Sequence, residues 1–235
     1  MERTRAWPVE PKSFKDSHLV AERLAHLDDE HIAPLSEFVR ALRRRRGGDE
    51  SVPWFDPDGG GIRAEVLLLL EAPGPKAVGA GHFGPLKAGS GIISADNNDE
   101  TARTVFTLRD EVGLARDRLV AWNAVPWFVG NDDGNIKGAG DKDTDEGLPH
   151  LLALVELLTE LRVVVTMGRP AQRAWAKLVL KKPNRLVVIP SFHPSPVALG
   201  CNPGARDQIR QAFTLARLVL DQPREGPTPI AVGEL

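Results

Sequence analysis

Cysteine is almost missing from this chain of 235 residues. A single thiol, Cys201, excludes an intrachain disulfide framework and any zinc or iron–sulfur site built on four cysteines. No apolar run approaches the roughly 20 residues that a membrane-spanning helix needs. The amino terminus carries Glu2, Glu10 and Asp16 and no apolar segment, so no signal peptide is expected and the expected location is the cytoplasm. Formal net charge is only −2, so no global positive field advertises a polyanionic partner. A local patch would suffice, and Arg43-Arg44-Arg45-Arg46 supplies one; it reads equally as a solvated helix end whose cations suit the carboxyl-terminal dipole. The Gly-rich segment near Gly79 lacks the Gly-Lys-Ser/Thr ending of a phosphate loop. Asp141-Lys142-Asp143-Thr144-Asp145 has the look of a calcium loop, but Gly147 stands one place late and Leu152 occupies the position of the bidentate Glu. It is read as a solvated acidic loop, and neither metal nor cofactor is expected.

Apolar residues are plentiful, at 42%, enough to bury a core of ordinary domain size. From Asp16 to about Arg46 the pattern is helical, with Pro34 dividing it into two helices. Pro57-Asp58-Gly59-Gly60-Gly61 reads as a turn or linker. Val66 to Leu70 is an unbroken apolar run, as expected of a strand covered on both faces. Leu119 to Trp122, Val163 to Thr166 and Leu186 to Ile189 repeat that signature. Helical patterns separate the runs: one after caps at Asp96 to Asp99, one over Leu148 to Leu161, one opened by Gly168-Arg169-Pro170 and one over Ala205 to Leu220. Strands alternating with helices predict a three-layer α/β/α sandwich on a four-stranded parallel sheet. Residues 1–60 are expected as a helical extension, 61–221 as the domain and 222–235 as a disordered tail.

Two of the runs end in Pro-braced loops that carry chemistry. Glu71-Ala72-Pro73-Gly74-Pro75 follows Leu70, and His193-Pro194-Ser195-Pro196 follows the last run. Asn123 follows the run ending in Trp122. Open parallel sheets bind ligands beyond the carboxyl ends of their strands, so Glu71, Asn123 and His193 are expected to converge. Each also has a structural reading: a carboxylate capping a helix, a turn amide and a histidine bonded to a backbone carbonyl.

These motifs, in this order, resemble the uracil-DNA glycosylase superfamily: a Pro-containing loop after strand one, an Asn after a middle strand and a His-Pro-Ser-Pro loop after the last. The likeness covers about residues 63 to 220. It implies an enzyme that flips a nucleotide out of DNA and hydrolyses its N-glycosidic bond. Glu71 and His193 would be catalytic, and Asn123 would read the base edge with its paired donor and acceptor. Ala72 and Pro73 would line the base pocket. Phe83, or Ile92 or Ile93, would stand where the family stacks the flipped base. Gly168 and Arg169, at a helix start, would face a phosphate. Ser195 would contact the DNA, and Val197 and Leu199 after it would form the apolar wedge that fills the vacated stack.

The chain also departs from the family pattern. The best-known members have Asp where Ala72 stands and usually Gly where Leu70 stands. The Glu-Ala-Pro-Gly form is similar to the superfamily's iron–sulfur branch, yet one cysteine cannot hold that cluster. The expected partner is DNA, handled by a monomer. The substrate is a uracil-like, damaged or modified base, including the bulky bases of some viral DNA. Two rival readings are a non-catalytic DNA binder and a hydrolase of free nucleotides or nucleosides.

Overall fold

The computed structural model describes residues 10–48, 50–79, 89–131 and 135–223. Four strands, β2 (Val66–Leu70), β4 (Leu119–Asn123), β5 (Val163–Met167) and β6 (Val187–Ser191), form one all-parallel sheet in the order β4-β2-β5-β6. Side chains alternate across a strand, so β2 sends Leu67 and Leu69 into one core and Val66 and Leu68 into the other. That two-sided burial explains why the run contains no polar residue.

Helices α2 (Ala33–Arg45), α4 (Asp141–Leu157) and α5 (Arg169–Lys181) cover the first face, and α3 (Glu100–Glu111) and α7 (Ala205–Asp221) the second. The expected α/β/α sandwich is therefore what the chain builds. Each fully buried Leu of the sheet contributes about 1.5–3 kcal/mol of transfer free energy. Trp122 stacks on Phe55 with ring centroids 3.9 Å apart. Among the described residues no helix is long and apolar enough to cross a membrane.

The segment ahead of residue 61 is built into this sandwich rather than appended to it. Helix α1 (Ser17–Leu24) precedes α2, and α2 places Leu35, Val39 and Leu42 in the same core as Leu67, Trp122 and Leu151. Pro34 lies in the first turn of α2, where its missing N–H costs no helical bond. Nor is Pro57 to Gly61 a free linker. Gly61 has φ +55°, and a Cβ there would come within 2.0 Å of the His31 carbonyl oxygen. A two-residue strand β1 (Trp54–Phe55) pairs in parallel with β3 (Ile92–Ile93), a second small sheet that the sequence does not announce.

Three further boundaries differ from expectation. Asp141 to Asp145 is not a solvated loop but the opening of α4. Its carboxylates suit the positive end of the helix dipole, and Asp143 accepts a hydrogen bond from the Gly140 N–H at 2.9 Å. The last strand runs on to Ser191 through Pro190, which an edge strand tolerates. After the second Pro-braced loop the chain makes a short helix, α6 (Pro196–Cys201). Beyond Pro223 the expected tail lies outside the described residues.

Candidate active site

Register sets the stage. Leu70 pairs with Asn123, Leu69 with Thr166, and Met167 with Ser191, so the four strands end at one level. Adjacent strands lie about 4.8 Å apart, so the backbones at the ends of β2 and β6 stand about 10 Å apart and those of β4 and β6 about 14 Å. The ladder continues past the strands: Ala124 N–H donates to Leu70 O and Val125 N–H to Glu71 O, both at 2.9 Å. Those two bonds lock the loop carrying Glu71 against the loop that leaves Asn123.

The Glu71 carboxylate is aimed by a backbone amide. Ala139 N–H donates to its Oε1 at 2.6 Å, and Gly138 passes so closely that a Cβ there would lie 3.5 Å from the same oxygen. Oε2 accepts no bond from the described residues, and the side chain is half-buried. Glu71 therefore keeps one oriented oxygen with unused acceptor capacity.

Asn123 ends β4 at only 3% exposure, yet its amide bonds to nothing among the described residues. A ligand edge would satisfy both its donor and its acceptor.

His193 is held on one side only. Ser195 N–H donates to Nδ1 at 3.2 Å, so in the neutral ring the proton sits on Nε2, which is left as a donor. Burial pushes its pKa down to about 4. The ring is thus a neutral donor at physiological pH. Gly168 makes its position possible: φ is +91°, and a Cβ there would lie 3.1 Å from the His193 Cβ. Gly168 N–H and Gln172 Nε2 both donate to Ser191 O, at 2.9 and 3.0 Å, which anchors the stem of the His193 loop to α5.

The structure separates the remaining candidates. Ala72 is half-buried against the first core and Pro73 is buried, so both supply walls rather than donors. Ile92 has no exposed surface; it sits in β3, where its carbonyl accepts from Ser90 Oγ and Asn97 Nδ2. Phe83 lies outside the described residues. Ser195 caps α6 through a 3.4 Å bond from Ala198 N–H. Val197 is 76% exposed on α6, whereas Leu199 packs partly into the second core. Arg169 is exposed at the start of α5 and makes no ion pair among the described residues. Two contributors carried no readable signal: the Ala139 N–H, because a backbone amide is common to nearly all residues, and Gln172, an ordinary helical polar residue.

A parallel sheet covered by helices on both faces defines an α/β domain of the class that binds ligands past the carboxyl ends of its strands. Within that class the family can be stated. The model of the uracil DNA glycosylase superfamily matches residues 57–214, more than half of the chain, and the protein belongs to that superfamily. No curated protein matches the chain.

Proposed function

We propose that the protein is a DNA glycosylase that extrudes a uracil-like, damaged or modified base into the crevice and hydrolyses its N-glycosidic bond, leaving an abasic site. The observation that carries this reading is an oriented carboxylate at the end of the strand between those of two groups that make no bond among the described residues: Glu71, with the Asn123 amide and the His193 Nε2–H on either side. Unstacking a nucleotide costs a few kcal/mol, and bonds from the flipped base to these waiting groups offset part of that.

The chemistry follows from charge. As the C1′–N bond breaks, positive charge grows on the sugar and negative charge on the departing base. His193 donates to the base's carbonyl oxygen, and its neutrality matters, because it stabilises the anion without releasing a proton. Glu71 stabilises the sugar cation and orients or deprotonates water with its unbonded oxygen. Asn123 presents a donor beside an acceptor, which fits a carbonyl next to an N–H on a uracil-like edge.

The test is release of free base from oligonucleotides carrying uracil, hypoxanthine or bulky modified bases. His193→Ala is expected to lose about 10²- to 10³-fold in kcat, and Glu71→Gln about 10²- to 10⁴-fold. Because His193 acts neutral with a pKa of about 4, its protonation contributes no inflection to the rate near pH 6.5. Activity that climbs on acidification through pH 4 would assign His193 the opposite role. A second reading, a DNA binder without catalysis, is favoured by Ala72, which cannot activate water. It predicts tight, salt-sensitive binding and no base release.

A further inference from the structure

We propose that Leu70 sets which bases the site accepts: its side chain is the apolar wall beside the ring whose edge the Asn123 amide reads, and it limits the size of that ring. The proposal rests on the glycosylase reading for its ligand, and it gives a part to a residue that reading leaves unused.

Register is the first argument. Leu70 ends β2 and is the Cα partner of Asn123 at the end of β4. Side chains alternate between the faces of a sheet, and register partners share a face. The residues ahead of each fix which face it is. Val66 and Leu68 in β2 lie in the second core, as does Leu119 in β4. Leu67, Leu69, Val120 and Trp122 lie in the first. Leu70 and Asn123 therefore stand side by side on the second-core face, with backbones about 4.8 Å apart. In the sheet order β4-β2-β5-β6, β2 is the neighbour of β4 and stands between it and the strand that leads to His193. A base that reaches from Asn123 toward His193 crosses the end of β2, where Leu70 is.

Exposure is the second argument. One step past the Leu69–Thr166 pair the row runs from Leu70 to Met167, and from there to its partner Ser191. Met167 has no exposed surface, and Asn123 and Ser191 keep only 3% and 7%. Leu70 is the one member of this row that is only partly buried, at the margin of the second core. It is thus the row's apolar surface open to a bound ring. Its place is fixed, because Ala124 N–H donates to Leu70 O at 2.9 Å and so ties it to the residue after Asn123.

Chemistry is the third. A leucine side chain neither donates nor accepts hydrogen bonds, so it acts by size alone. Asn123 can read a carbonyl beside an N–H, and uracil and hypoxanthine both carry such an edge. Hypoxanthine carries it on a two-ring body. The amide cannot tell the two apart, whereas a branched apolar wall can. One methylene more or less in a hydrophobic pocket changes discrimination about 10- to 200-fold.

The test compares kcat/KM for base release from duplexes carrying hypoxanthine and uracil. Leu70→Ala should raise the hypoxanthine-to-uracil ratio about 10-fold or more. Leu70→Met, which keeps the volume, should leave it near the wild-type value. Leu70→Ala also thins the second core, but a ratio measured on one preparation does not depend on the folded fraction. An unchanged ratio in Leu70→Ala, or an equal change in Leu70→Met, overturns the proposal. The same ratio is read from binding, by fluorescence anisotropy of labelled duplexes whose hypoxanthine or uracil sits on a 2′-fluoro sugar that resists cleavage. The two readings fail separately. Base release with an unchanged ratio removes the Leu70 wall alone, whereas a binding ratio that shifts in Leu70→Ala without base release removes the glycosylase alone. No base release together with an unchanged or unmeasurable binding ratio removes both.

Discussion

Two polar clusters in this protein are built on opposite principles. Around Arg23 every charge is answered. Arg23 reaches Asp56 at 2.5 Å, Asp58 at 2.6 Å and Asp96 at 3.1 Å, while Arg116 reaches Asp96 at 2.6 Å. Ser94 Oγ and the Asp58 N–H add bonds to Asp56, and Arg23 lies over the Phe14 ring. Burial pushes the Asp56 carboxyl up, but Arg23 and Arg116 outweigh it and hold it below the usual range. At the carboxyl ends of the strands, by contrast, the Asn123 amide and the His193 Nε2–H make no hydrogen bond among the described residues. The first cluster spends its polar groups on joining α1, the β1 turn and the segments around β3 and β4. The second leaves its groups without such bonds, and the glycosylase reading assigns them to a flipped base. Ion pairing carries the first cluster, and the groups of the second make no such bond among the described residues.

The largest expected effect follows directly. Asp96→Ala leaves Arg23 and Arg116 buried with a carboxylate missing, and breaking such a network costs about 3–5 kcal/mol. Asn123→Ala removes an amide that makes no hydrogen bond among the described residues, so its stability should change by about 1 kcal/mol or less, while base release is expected to collapse. Urea unfolding midpoints at constant m-value measure both. The comparison breaks if Asn123→Ala proves as destabilising as Asp96→Ala. Acid should sharpen it. The His193 pKa lies below its unfolded value, so the unfolded state takes up protons first and stability falls between about pH 6.5 and 4. Asp56 is also lowered, and for a carboxylate the loss comes later, as pH falls below its unfolded value of about 3.9. Deleting His193 should therefore flatten the first limb and leave the second.

The same contrast explains what could be read from the residues beforehand. Val66 to Leu70 announced a strand because both its faces are covered, and Glu71, Asn123 and His193 stood out as candidates from their places just past apolar runs. The paired cluster was not legible. Its members come from four separate segments, at no spacing that a helix or strand period would reveal. The start of α4 was misread because its first turn is polar all round, so no apolar period marks it. Strands β1 and β3, at two residues each, are too short to carry a period at all.

A smaller effect is expected where the crevice depends on backbone shape. Gly168 adopts φ +91°, and an added Cβ would press on the His193 Cβ at 3.1 Å. Gly168→Ala should cost about 1–3 kcal/mol from the strained dihedral. The ring would also shift by a few tenths of an ångström, so base release should fall further than the loss of stability accounts for. Measuring kcat well below the unfolding midpoint separates the two. A variant that is less stable yet fully active would show that Gly168 serves only the turn.

The finest distinction concerns the bond that sets the His193 tautomer. Ser195 plays two parts: its hydroxyl caps α6 at 3.4 Å, and its backbone N–H donates to His193 Nδ1 at 3.2 Å. Ser195→Ala deletes the cap and keeps the N–H. The cap bond is long, so the cost should lie at the low end, about 0.5 kcal/mol. Ser195→Pro deletes both. The backbone there already has φ −72° and ψ 152°, which proline adopts without strain. The two variants therefore differ chiefly by one N–H. A hydrogen bond of about 1.4 kcal/mol corresponds to roughly tenfold in rate, so Ser195→Pro should release base about tenfold more slowly than Ser195→Ala. Equal rates would mean that the free Nε2 donor does not depend on the bond at Nδ1, and that burial alone keeps the ring neutral and in place.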